Sequence, residues 1–260
     1  MRNIKLTLAY DGTDFSGWQI QPGQQTIQGT LTDALEKLTR NRPIVQGAGR
    51  TDAGVHATGQ VANFHTDANL TAGDFERALN ALLPQSIRVR TAVDVSPAFH
   101  SRRDAQAKTY RYRILRARVV PPFVSRYVHH DPSPLDYAAV AEAARRFEGE
   151  HDFTSFAAST GSETDDQERI TTRVIYSSEI VRTAVEEPDG YGEEWIYVVR
   201  GRSFMRYMVR KIVGTLIEVG RGKLAPEDIP RIIKLQDRTK SGPTMEPQGL
   251  CLAKVEYPPL

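Results

Sequence analysis

Residue-by-residue alternation of apolar and polar side chains limits what this chain can become more than any other feature. Ile4 to Tyr10 alternates and is closed by the turn residues Asp11-Gly12-Thr13-Asp14. Lys108 to Leu115 alternates again, with Tyr110, Tyr112 and Ile114 on one face and Arg111 and Arg113 on the other. A period of two marks strands that turn one face to a core. Gly59 to His65, Ile87 to Val95, Thr172 to Arg182, Glu194 to Gly201 and Leu250 to Tyr257 read as further strands. Helical spacing predicts helices from Thr26 to about Asn41, from Asp74 to Leu83 before Pro84, and from about Leu135 to Phe147. Another is expected from Phe204 to Val219, with Phe204, Met208, Ile212, Leu216 and Val219 as its apolar stripe and Gly220 just past its end; a short one follows Pro226. Strands and helices do not alternate as a doubly wound sheet requires, so the expected class is α+β, a largely antiparallel sheet flanked by helices and loops. The segment Ala157 to Arg169 has the composition of a mobile loop.

A chain of 260 residues is long enough for a real core. No stretch approaches the roughly 18 apolar residues of a membrane span. The alternating start, Met1 to Thr7, lacks the apolar centre of a secretory signal. The lone cysteine, Cys251, allows no internal disulfide and fits a reducing cytoplasm, and a small buried hydrophobe in a late strand accounts for it. Net charge is only +2, but the basic residues are segregated. Arg102, Arg103, Lys108, Arg111, Arg113, Arg116 and Arg118 face a single acid, Asp104; Arg200, Arg202, Arg206, Arg210 and Lys211 face none. Two such clusters suit either a polyanion that touches one face or ordinary solvated surface.

The densest group of special residues is Gly47-Ala48-Gly49-Arg50-Thr51-Asp52-Ala53-Gly54-Val55-His56. Small residues leave the backbone open to a substrate while Arg50, Asp52 and His56 project from it. Spacing alone favours a tight structural turn with a charged tip. Phosphate-loop and dinucleotide fingerprints are missing, since Gly47-Ala48-Gly49 lacks the third glycine.

Gly49 to His56, followed by Gly59-Gln60-Val61, resembles the signature of the bacterial tRNA pseudouridine synthase A family residue for residue. Other segments similar to that family occur in its order. They are Tyr10 to Thr13 with Phe15 to Gln19, Phe99 to Arg102, Lys108 to Tyr112, Asp152 to Phe156 and Ser203 to Gly214. Only Met205-Arg206-Tyr207 departs mildly from the pattern.

The resemblance implies a pseudouridine-synthase-like fold of two similar halves. Residues 1–104 would carry the Asp52 loop and residues 105–260 the Tyr110 strand and the Arg210 helix, together forming one catalytic unit. It implies isomerisation of uridines on the 3′ side of the anticodon, tRNA positions 38, 39 and 40, by a cytoplasmic homodimer with no metal and no cofactor. Asp52 matches the catalytic aspartate, either a nucleophile at C1′ or a base at C2′. Arg210 matches its arginine partner, and Tyr110 matches the tyrosine that stacks on the target uracil. Arg50 is assigned to extruding the nucleotide or filling its place. His56 is either a phosphate contact or a strand-edge histidine bonded to backbone, and Trp18 is packing beneath the loop. Arg102, Lys108 and Arg111 are expected to meet tRNA phosphates. Two rivals are a non-catalytic RNA-binding module on the same fold and a metal-dependent hydrolase using Asp52, His56, His129 and His130. The adjacent histidines make a poor ligand pair, because neighbours in a strand face opposite ways.

Overall fold

In the computed structural model, residues 1–158, 170–187 and 190–258 are described. The expected loop at Ala157 to Arg169 lies mostly outside them. The chain groups into two compact units, one of Met1–Lys108 with Cys251–Leu260 and one of Thr109–Leu250. The division therefore falls four residues later than expected from sequence, and the last strand returns to the first unit. Local patterning identifies a strand but not the neighbour it will pair with.

In the first unit, β1 (Arg2–Tyr10) pairs antiparallel with β3 (His56–Thr66) and with β4 (Ile87–Val95). The closing strand β10 (Leu250–Glu256) lies parallel to β3, with Cys251 opposite His56. A two-residue strand, β2 (Gln46–Gly47), pairs antiparallel with β3. Ile4, Leu6, Leu8 and Tyr10 form the buried face of β1, as alternation predicts. Two amphipathic helices supply the rest of the core: α1 (Ile27–Thr39) buries Ile27, Leu31, Ala34 and Leu35, and α2 (Ala72–Leu82) buries Phe75 and Leu79. Thr26 caps α1 by accepting from the Gly29 N–H, and Thr71 with Asp74 forms a reciprocal capping box on α2. The strand β3 is buried along nearly all its length, including Asn63. Asn63 is satisfied there: its amide donates to Asn3 Oδ1 at 3.0 Å, and its Oδ1 accepts from the Ser101 N–H at 2.9 Å. Cys251 is half-buried, with Sγ 3.9 Å from Thr58 Oγ1.

In the second unit the strands run in the order β5 (Ala107–Arg116), β9 (Gly190–Gly201), β8 (Thr172–Glu187) and β7 (Gly149–Asp152). The short strand β6 (His129–His130) lies parallel to β5. The strands β8 and β9 form a long antiparallel hairpin, and β7 extends it antiparallel. The helices α3 (Tyr137–Arg145) and α4 (Met208–Gly220) bury Val140, Ile212, Val213 and Leu216, and a short α5 (Asp228–Leu235) follows. Both units are α+β.

One helix boundary differs from its sequence pattern. The Phe204 stripe predicts a start at Phe204, but α4 begins at Met208, after Tyr207 adopts a left-handed conformation at φ 64°. A turn at Arg206 and Tyr207, closed by the Met208 N–H donating to the Met205 carbonyl at 3.2 Å, leads into the helix, and Phe204 packs edge-on against Tyr110, ring centroids 5.1 Å apart. Gly220, expected beyond the helix, is its last residue.

Candidate active site

The loop from Ala48 to Val55 is held to its own unit almost residue by residue. The Ala48 N–H donates to the Val61 carbonyl at 2.7 Å, and the Gln60 side chain donates to the Gly49 carbonyl at 2.9 Å. The Thr51 carbonyl accepts from the Trp18 N–H at 3.0 Å, while Thr51 Oγ1 lies 2.8 Å from the Tyr10 hydroxyl. After Asp52, its carbonyl accepts from the Val55 N–H at 3.1 Å, and the Gly54 N–H donates to Phe15 at 3.3 Å. Trp18 is 2 % exposed and lies against Gly47, which makes it the packing floor expected from sequence. Gly17 has φ +90°, and a Cβ there would sit 2.7 Å from the Thr51 carbonyl, so no other residue fits beside this loop without strain. Asp52 is the half-buried residue between these anchors. A carboxylate carried on so constrained a backbone can act without reorganising its support.

The neighbouring polar residues divide by what they touch. Arg50 is exposed, and its Nε donates to Gln19 Oε1 at 3.2 Å. His56 is buried at the start of β3; its Nδ1 accepts from the Gly12 N–H at 3.1 Å and lies 3.2 Å from Asp11 Oδ1. The backbone bond expected of a strand-edge His56 is present. Lys108 is half-buried, and its ammonium donates to the Ala48 carbonyl at 2.7 Å, beneath Gly49. Burial, with the Arg102 charge as a smaller cause, lowers its pKa to about 8. Its position is that of a brace under the loop. Arg102 is exposed on a turn fastened beside the loop, where Ser101 Oγ donates to the Gln46 carbonyl at 2.6 Å.

The second unit holds the remaining candidates. Tyr110 is buried against Phe204 on the inward face of β5, and Arg111 is exposed on the outward face. The structure separates the two tyrosines that sequence leaves equal. Tyr112 is fully buried, and its hydroxyl donates to the Glu246 carbonyl at 2.9 Å. Arg210, on the first turn of α4, donates through Nε to the Met245 carbonyl at 2.5 Å, and its guanidinium lies 4.9 Å from the centre of the Tyr207 ring.

Some members of the two basic clusters are structural. Arg113 pairs with Glu194, and Arg116 lies 4.4 Å over the Trp195 ring and donates to the Ser133 carbonyl. Lys211 donates to the Arg238 carbonyl and to Ser241 Oγ, and burial lowers its pKa. His129 faces Glu246 Oε2 at 3.2 Å, whereas His130 faces the Ala117 carbonyl at 2.7 Å, so the adjacent histidines serve different partners. Among the described residues, no group of three or more His, Cys, Asp or Glu side chains is placed to hold a metal.

Tyr10, Gln60, Phe204 and Met245 escaped sequence reasoning as supports of the site. Tyr10 and Phe204 lie in motifs similar to the family's, but the contacts that define their roles span 41 and 94 residues, beyond any local signal.

Comparison with known proteins places the whole chain among its relatives. The model of the family described as "tRNA pseudouridine synthase" matches residues 7–119 and 143–258. A protein of Solibacter usitatus named tRNA pseudouridine synthase A is 45 % identical over 258 residues, covering 99 % of this chain and 100 % of its own length. Proteins of Desulfotalea psychrophila, named tRNA pseudouridine synthase A 1, and of a Geobacter species, named tRNA pseudouridine synthase A, are each 44 % identical over 259 residues. Each alignment covers 99 % of this chain and all of the relative. The motifs, the α+β fold and near-complete coverage lead to one conclusion: this chain belongs to the tRNA pseudouridine synthase family.

Proposed function

We propose that this chain isomerises uridine to pseudouridine in tRNA, with Asp52 as the catalytic carboxylate. The observation that carries this reading is the Asp52 loop, anchored on both sides by buried partners within a chain that the family model matches over residues 7–119 and 143–258. In the reaction the N1–C1′ bond breaks, the uracil turns, and C1′ bonds to C5. C5 loses its proton and N1 gains one, so atoms balance without an external reactant. Asp52 serves as nucleophile at C1′ or as base at C2′, and ionisation is needed for either.

By likeness to the family, Arg210 is assigned as the counter-charge for Asp52, a role that suits a guanidinium because its fork matches a carboxylate and favours the ionised form. Tyr110 offers an aromatic plane to the uracil, and edge-on contact with Phe204 fixes the orientation of that plane. Arg50, at the exposed lip of the loop, extrudes the nucleotide or fills its place. Arg102 and Arg111 are exposed and take phosphates. The choice of uridines on the 3′ side of the anticodon, action in the cytoplasm and a homodimeric state rest on likeness to the family.

The test is release of tritium from tRNA containing C5-labelled uridine, comparing the wild type with Asp52→Asn. Release by the wild type alone, with tRNA bound by both proteins, is the expected result. Equal release by the two would remove Asp52 from its role; binding with no release by either would favour a binding module.

A further inference from the structure

We propose that the Tyr112 hydroxyl is a positioning group for Arg210, acting through the backbone of Met245 and Glu246. The inference rests on the reading of Arg210 as the counter-charge of Asp52. Met245 is tied to Arg210 twice: its N–H donates to the Arg210 carbonyl at 3.3 Å, and its carbonyl accepts from Arg210 Nε at 2.5 Å. The next carbonyl along, that of Glu246, accepts the Tyr112 hydroxyl at 2.9 Å. Glu246 thus stands between two pinned carbonyls, and with planar peptides on either side its backbone has little room to turn. Its carboxylate is held as well, with His129 Nδ1 at 3.2 Å and Gln248 Nε2 at 2.7 Å.

The origin of the hold is rigid. Tyr112 is fully buried on β5, so its hydroxyl is fixed by the strand and not by a mobile side chain. From the other end, Gly214 on α4 lets the same segment approach: a Cβ there would sit 1.9 Å from the Pro243 carbonyl. The segment is clamped between strand and helix, and it presents the Met245 carbonyl to Nε. A guanidinium anchored through Nε and stacked 4.9 Å from the Tyr207 ring directs its two Nη groups as a fixed fork. Lysine at this position has no fork to direct.

This assigns Tyr112 a role beyond core packing, and two substitutions approach it from opposite ends. Tyr112→Phe keeps the ring and removes only the hydroxyl. Gly214→Ala pushes the segment from the helix side, while alanine itself favours the helix. Each is expected to lower kcat for tritium release roughly tenfold while KM for tRNA stays within about twofold, the effect of a misplaced catalytic group. In an Arg210→Lys background neither should cost anything further. Losses that simply multiply, or that fall on KM, would overturn the positioning role and leave Arg210 in place. An Arg210→Lys protein with full kcat would overturn both readings.

Discussion

The Tyr10 hydroxyl lies 2.8 Å from Thr51 Oγ1, a buried bond between the first strand of the fold and the residue just before Asp52. Burial pushes the phenol's pKa upward, and its hydrogen bonds with Thr51 and Gln60 only partly offset that, so Tyr10 stays neutral at any working pH. Removing either partner costs the other a buried hydrogen bond, although Gln60 still reaches the Tyr10 hydroxyl at 3.4 Å. Tyr10→Phe or Thr51→Val alone should cost about 1–3 kcal/mol in urea unfolding, whereas the double replacement should cost less than the sum. Additive losses would show that the two groups do not depend on each other.

The backbone beneath the loop yields a second expectation. Gly17 and Gly23 both have positive φ, +90° and +70°, but a Cβ on Gly23 would meet nothing within 4 Å while one on Gly17 would strike the Thr51 carbonyl. Gly23→Ala should therefore cost only the left-handed strain, about 1 kcal/mol. Gly17→Ala should cost roughly 2–3 kcal/mol and lower kcat, because the carbonyl it displaces precedes Asp52. Equal losses of stability at the two sites, with kcat intact, would mean the loop can shift without consequence.

Lys108 makes stability depend on pH in a predictable sense. Its folded pKa, about 8, is below the usual lysine value of 10.5 because burial penalises the ammonium. Between those limits the unfolded chain holds the proton that the folded chain has released, so this group adds stability as pH rises through the window. The slope is at most about 1.4 kcal/mol per pH unit. The wild type should gain on Lys108→Met from pH 8 to 10, and below pH 8 the difference between them should be flat. Unfolding curves that run parallel across the whole range would show that Lys108 keeps its charge beneath the loop.

How far the sequence reveals this molecule depends on the distance over which each contact is made. Strand faces such as Ile4 to Tyr10 are local periodicities and were legible, whereas the small residues around Asp52 read by spacing alone as a turn with a charged tip, and only their resemblance to a family motif singles that acid out. The strands β2 and β6 were not legible, since two residues carry no period. Phe204 shows the reverse error: its helical spacing is real, yet its contact with Tyr110 draws it out of the helix. Charge misled in the same way. Lys108, Arg113 and Arg116 look like a phosphate-binding face until Ala48, Glu194 and Trp195 are brought beside them. A charged side chain does not disclose whether its partner is inside or outside the fold.

That ambiguity can be resolved by salt dependence. Arg102 and Arg111 are exposed, and each is expected to neutralise one tRNA phosphate, whereas Arg113 is committed to Glu194. Each phosphate contact releases counterions, so its loss should flatten the plot of log affinity against log salt by roughly one. Arg102→Gln and Arg111→Gln should each weaken tRNA binding and flatten that slope, with thermal stability unchanged. Arg113→Gln should leave the slope alone and lower stability, because Glu194 would lose its partner in a half-buried setting. A flattened slope with Arg113→Gln would mean that the pair opens to meet the RNA. An unchanged slope with Arg102→Gln and Arg111→Gln would place the tRNA backbone on another face of the chain.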